Sequence, residues 1–192
     1  MTKTENFDRV EVKSVAELRG WLEANHTQEA SIWLVTYKKH MGDKYISTSQ
    51  ILDEILCFGW IDGIRRKLDD DRTMQLIAPR QAQHWAKTYK DRVAKLEKAG
   101  RMHASGLRGI EEAKQSGLWN FMDDVDALIM PDDLIEALKS QPPAYENFDA
   151  SAPSYKRNVL RWIKLAKTSE TRAKRIEKTA TLSAKNEKIA QM

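Results

Sequence analysis

Between residues 60 and 92 the chain gathers aromatic, acidic and guanidinium side chains, among them Trp60, Asp62, Arg65, Arg80, Trp85, Tyr89 and Arg92. Guanidiniums converging among aromatic rings grip a carboxylate or phosphate through paired N–H donors and stack on the rings. Trp85 and Tyr89 are four apart and Arg92 is three beyond, so a helix would carry all three on one face. Gly59 and Gly63 flank Trp60 and Asp62, where a sharp backbone turn brings side chains close to a ligand. Strand alternation separates Trp60 from Arg65, unless the backbone kinks at Gly63. The plainer use of the same residues is structural. Asp62 would then be a buried carboxylate clamped by Arg65, Arg66 or Arg80, and other arginines would form surface ion pairs with Asp69 to Asp71, each worth little.

A second group lies near the C-terminus. Tyr155 and Trp162 are seven apart and share a helical face, with Arg161 beside them. They either close a pocket opened by the first group or pack as core.

Other chemistries find no support in the sequence. His26, His40, His84 and His103 are scattered, and none sits with Cys or carboxylates at metal-ligand spacing. Neither a G-x-S-x-G elbow nor a phosphate-binding or dinucleotide glycine loop occurs. No metal or cofactor is expected, and nothing argues for an enzyme. Cys57, the single cysteine, sits in an apolar run and reads as a small buried hydrophobe.

The elements that must position these residues are legible from periodicity. Val10 to Val12 alternates as a short strand. Ser14 and Glu17 make a capping box for a helix to about Asn25, with Leu18, Trp21 and Leu22 on one face. Ser31 to Tyr37 is β-branched and aromatic, a central strand. A charged turn, Lys38 to Lys44, leads to a second capping box at Ser47 and Gln50. The amphipathic helix that follows carries Ile51, Leu52, Ile55, Leu56 and Phe58, with Gly59 as its cap. Ile61 to Lys67 and Thr73 to Ala78 form a hairpin around an acidic turn. The order is β-α-β-α-β-β, and the fold class is α+β.

After Pro79 the spacing becomes helical. Helices are expected over Ala82–Ala99, Ser105–Ser116, Pro131–Ser140, Tyr145–Ala150, Pro153–Ala166 and Glu170–Glu187. Gly109 weakens the second of these by about 1 kcal/mol against alanine. The expected domains are residues 1–80, an α+β unit, and 81–192, a helical region packed on it.

Charge is uneven along the 192 residues. From Arg157 onward ten Lys/Arg face three Asp/Glu, a local +7, whereas the rest of the chain sums to −3. A basic tail suits an anionic partner such as nucleic acid, or else a solvated helix face. After Trp162 it holds no aromatic residue for base stacking, which puts nucleic acid third among the readings. The polar start lacks a signal-peptide core, and no run approaches the ~20 apolar residues of a membrane-spanning helix. The expected compartment is the cytoplasm, without membrane insertion.

The stretch LCFGWIDGIRRKLDDDRTMQLIAPRQAQHWAK, Leu56 to Lys87, is similar to a CFGWID…DDER…F.PR…W.K run. Ser154, Tyr155, Arg157, Leu160, Trp162, Ile163, Ala166, Lys167, Glu170, Thr171, Arg172, Arg175 and Ile176 match a second run, S.SY.R..L.WI..AK..ETR..RI. Together they resemble the bacterial YdeI/OmpD-associated (OmdA, bacteriocin-protection) family, over about Asp8 to Lys178. The resemblance implies a binding factor in stress or antimicrobial-peptide resistance. Its porin association would be indirect for a cytoplasmic protein. The alternatives from the residues are a small-anion-binding protein or an enzyme using the Trp/Arg/Asp pocket, or a site for a protein partner.

Overall fold

The computed structural model describes residues 6–190, which divide into two compact units between Asn120 and Phe121. The first contains β1 (Arg9–Glu11), α1 (Val15–Asn25), β2 (Ile32–Tyr37), α2 (Thr48–Cys57), β3 (Trp60–Lys67), β4 (Arg72–Pro79), α3 (Lys87–Lys98) and α4 (Ala104–Gln115). The charged turn after β2 is a 3-10 turn over Lys39–Lys44.

Local signals set the helix starts. At Ser47 both halves of the capping box close, with Gln50 donating to the serine hydroxyl and accepting the Ser47 N–H. At Ser14 only the serine half forms, because the Glu17 carboxylate takes the Lys13 N–H instead. Apolar spacing then decides which faces are buried.

The sheet order is β1-β2-β4-β3, with β1 parallel to β2 and the other two pairings antiparallel. β2 is central, as its β-branched and aromatic content requires. In β3, Gly63 and Ile64 stand opposite the single residue Leu76, because the register shifts between Asp62 and Arg65. This bulge turns Trp60, Asp62 and Arg65 to the same side of the sheet as Gln75 and Ile77. Gly63 has the Leu76 carbonyl and side chain 3.3 to 3.4 Å from where a Cβ would stand, so the bulge is tight.

α3 and α4 share the core of the sheet and its helices: Val93, Leu96, Ile110 and Ala113 pack with Leu18, Leu34, Ile55, Trp60 and Ile77. The compact unit therefore runs some forty residues beyond the expected boundary at 80. The hairpin end at Pro79 marks a change of secondary structure, and the apolar stripes of the next two helices have no core but this one. α3 begins at Lys87 instead of Ala82, because residues 80–86 run without regular structure and Trp85 N–H is bound by Leu118 O at 3.2 Å.

The second unit is helical: α5 (Asp123–Asp126), α6 (Asp132–Lys139), α7 (Ala144–Asp149), α8 (Pro153–Lys164) and α9 (Ser169–Ala184). Proline at the first turn starts α8, where its missing N–H is harmless. Leu134, Leu138, Phe148, Val159, Ile163 and Ala180 form its core. Among the described residues no strand follows Pro79. The four-residue α5 is too short to leave a periodic signal.

Candidate anion-binding site

Arg80 leaves the end of β4, its N–H held by Gly59 O at 2.9 Å. Its guanidinium carbon lies 3.7 Å from the Trp85 ring centroid and 5.7 Å from that of Tyr89. Nη2 donates to His84 O at 3.0 Å. Nε and Nη1 are shielded from solvent and have no acceptor. Burial pushes the guanidinium pKa down, and of the surrounding groups only Tyr89 opposes that shift. A buried donor left without a partner costs about 1–3 kcal/mol. The cation is thus stacked, half-buried and short of an acceptor.

Arg80 and Trp85 line a cleft of about 370 Å³, together with Phe58, Gly59, residues 81–83, Leu118 and one face of α4. That volume is at the small end for ligand pockets, which run from about 300 to 1,000 Å³. The α4 face consists of Ser105, Gly106, Arg108, Gly109, Glu112 and Ala113, with Ser116 just past the helix end, so a second guanidinium and one carboxylate also border the cleft. The helix start is fixed by His103, whose Nδ1 accepts the Ser105 N–H at 3.2 Å, while Ser105 Oγ donates to Phe58 O at 3.0 Å. Burial first, then neighbouring His26, lowers the His103 pKa, which keeps Nδ1 free to accept. Ser105 Oγ stands between two acceptors, Phe58 O at 3.0 Å and His103 Nδ1 at 2.9 Å, so the serine–histidine pair sits in the cap of α4.

The residues expected to share one cleft have several fates. Trp60 does not line it: the side chain is 0% exposed, packed edge-on against Trp21 at 5.6 Å. The core takes it because the bulge directs it beneath the helices. Asp62 is half-buried, and its partners are Tyr89 Oη at 2.7 Å and Gln75 Nε2 at 3.3 Å, not an arginine. Gln75, itself buried, accepts from Arg65 Nη2 at 2.9 Å, and Arg65 Nη1 donates to Thr48 Oγ1. The expected Asp–Arg clamp is therefore relayed through an amide that the acid-and-base reading passed over. Arg92 pairs with Asp53 at 2.5 Å and with Ser49, away from the cleft lining. Arg80, Trp85 and Tyr89 do come together.

Tyr155, Arg161 and Trp162 belong to α8 of the second unit. Tyr155 Oη accepts the Ile189 N–H at 3.1 Å, and Arg175 covers the Trp162 ring at 4.9 Å while bonding Trp162 O. Arg161 is exposed. The fully buried-face carboxylate Glu54, 2% exposed, was missed from sequence; it is held by Arg19 at 3.0 Å and Arg101 at 2.5 Å. Cys57 is buried, and burial raises its thiol pKa, as suits an inert core residue. Among the described residues no three His, Cys, Asp or Glu side chains gather as metal ligands, and no helix is long and apolar enough to cross a membrane.

Tyr89 gives a titration test of the network. Burial, then the hydrogen bond to Asp62, raises its phenol to about 12. Because the folded pKa lies above the ordinary value near 10, the stabilisation is complete below pH ~10 and is lost as pH rises toward ~12. Tyr89→Phe should flatten stability across that window, seen as a reduced slope of urea midpoint against pH. An unchanged slope would place the phenol in water.

The comparisons divide the chain much as its contacts do. Residues 10–109 match the family model described as "Domain of unknown function (DUF8412)", and residues 127–186 match "Bacteriocin-protection, YdeI or OmpD-Associated". The run around Tyr155 and Trp162 lies inside the second match, whereas Leu56–Lys87 lies inside the first. No curated protein and no solved structure matches. The chain belongs to the DUF8412 family, which its first unit represents over more than half of the sequence, and it carries a YdeI/OmpD-associated domain in its second.

Proposed function

We propose that the first unit is a binding module for a small anion, seated in the cleft beside Arg80. The observation that carries this is the guanidinium stacked on Trp85 with two shielded N–H groups lacking acceptors. Three other arginines of the unit already have carboxylate partners, Arg92 with Asp53, Arg101 with Glu54 and Arg72 with Asp69, while Arg108 borders the same cleft as an exposed second cation. A carboxylate or phosphate oxygen is what Arg80 lacks. Because Nε and Nη1 are shielded, the Arg80 side chain has to turn toward the cleft as the ligand seats. Binding is favoured over catalysis because His103 caps α4 and does not line the cleft, so Ser105 brings no histidine into it.

Protection against a toxic peptide, the role named in the description of the second unit's family, would follow from binding in this reading. The basic α9 is a weaker candidate for nucleic acid, since Arg172 is held by Asp133, Lys174 by Glu170 and Arg175 by Trp162 O.

Isothermal titration and thermal shift against acetate, benzoate and inorganic phosphate provide the test. A ligand at 100 times its Kd should stabilise by about 2.7 kcal/mol. Arg80→Ala removes charge-assisted bonds worth about 1.5–3 kcal/mol, so affinity should fall by roughly 10- to 100-fold. Melting should fall only a little, because relief of the unmet donors offsets part of the lost stacking on Trp85 and the bond to His84 O. Arg80→Ala binding all three anions as the native chain does would overturn the reading.

A further inference from the structure

Two glycines three residues apart on α4 have opposite surroundings. A Cβ on Gly106 would stand 2.2 Å from Cys57 O, so packing demands a glycine there. A Cβ on Gly109 would meet nothing within 4 Å. Gly109 also has no left-handed backbone to explain it, since it lies inside a regular helix with ordinary φ. Glycine within a helix is less favourable than alanine, and here neither close packing nor conformation offsets that. What Gly109 does is leave a gap in the cleft wall between Arg108 and Glu112, because it lines the same cavity as Arg80 and Trp85.

We propose that Gly109 is the specificity-determining position of the cleft, and that the ligand it admits is a flat ring bearing a carboxylate. This rests on the anion-binding reading above. Gly109, with Ala113 one turn on, leaves a low strip of the α4 wall between the longer side chains of Arg108 and Glu112, while Gly106 is closed off by Cys57 O. Trp85 supplies an aromatic ring in the same cavity, and Arg80 the cation. A planar group lies against such a surface with full contact, whereas a puckered ring or an added methyl at position 109 holds it off. The cavity of about 370 Å³ takes one ring and its acid group.

The test compares benzoate, cyclohexanecarboxylate and acetate on the native chain, Gly109→Ala, Gly109→Leu and Arg80→Ala, by titration calorimetry. The native chain should prefer benzoate to cyclohexanecarboxylate by about tenfold or more, which is about 1.4 kcal/mol. Gly109→Leu should abolish that preference and leave acetate binding within about twofold. Gly109→Ala should melt higher than the native chain, because the helix gains and nothing clashes. Equal native affinity for the two rings, or unchanged benzoate binding in Gly109→Leu, would overturn the inference while Arg80-dependent binding of acetate left the anion site standing. A lower melting temperature for Gly109→Ala would also overturn it, by showing the glycine to be structural. Binding that ignores Arg80→Ala removes the anion site itself.

Discussion

Trp60→Ala should destabilise the first unit by about 3–5 kcal/mol, the usual cost of emptying a large buried aromatic site. The side chain is completely buried between β3 and the helices, with Trp21 edge-on to it. Trp60→Phe should lose much less. The indole Nε1–H is buried with no acceptor, an arrangement that itself costs about 1–3 kcal/mol. Phenylalanine removes that donor while keeping most of the ring, so relief offsets part of the smaller cavity. A net change of about 1 kcal/mol is expected for Trp60→Phe. Urea unfolding followed by far-ultraviolet circular dichroism measures both variants. If Trp60→Phe loses as much as Trp60→Ala, the indole N–H has an acceptor and the residue's role is polar. If both lose little, the burial is wrong.

Trp60 also shows where sequence reasoning reaches its limit. The order of strands and helices was legible, because alternation at period two and apolar spacing near 3.6 record which faces are buried. The kink at Gly63 was legible too, and the bulge puts Trp60 and Arg65 on one side of the sheet. That shared side faces the core instead of a cleft. Spacing tells which residues point together, and it does not tell what another element has laid over them. The helices cover that side at Trp60, which became core, and leave it open at Arg65, which is exposed and bonds Gln75 and Thr48.

Part of the cleft was visible in sequence, as Arg80 with Trp85. Another wall comes from α4, where Gly109 leaves a gap between Arg108 and Glu112. A search for charged and aromatic groups passes over Gly106 and Gly109 even though a glycine pair inside a helix is costly. That cost was noted for Gly109 from sequence, and it was the one available pointer to the wall. The Asp62 partnership was misread for a related reason. Opposite charges draw attention, yet a phenol and an amide satisfy a half-buried carboxylate without bringing a second charge out of water.

Gly106→Ala should destabilise by about 3 kcal/mol, at the upper end for overpacking a core. The added methyl would stand 2.2 Å from Cys57 O and 2.8 Å from Cys57 C, both backbone atoms that no rotamer change can clear. α4 therefore has to lift from the end of α2. Lifting it stretches the His103 N–H bond to Cys57 O, 3.0 Å, and the Ser105 hydroxyl bond to Phe58 O, each worth about 1 kcal/mol. It also moves the cleft-lining face of α4 relative to Arg80, so anion binding should weaken in the same variant. Gly109→Ala, one turn along the same helix, should do the reverse to stability. The pair isolates position from residue type: the substitution is identical, the helix is identical, and only the neighbour of the new methyl differs. A urea midpoint for Gly106→Ala equal to that of the native chain would show that α4 does not lie against Cys57, and the wall it provides to the cleft would go with it.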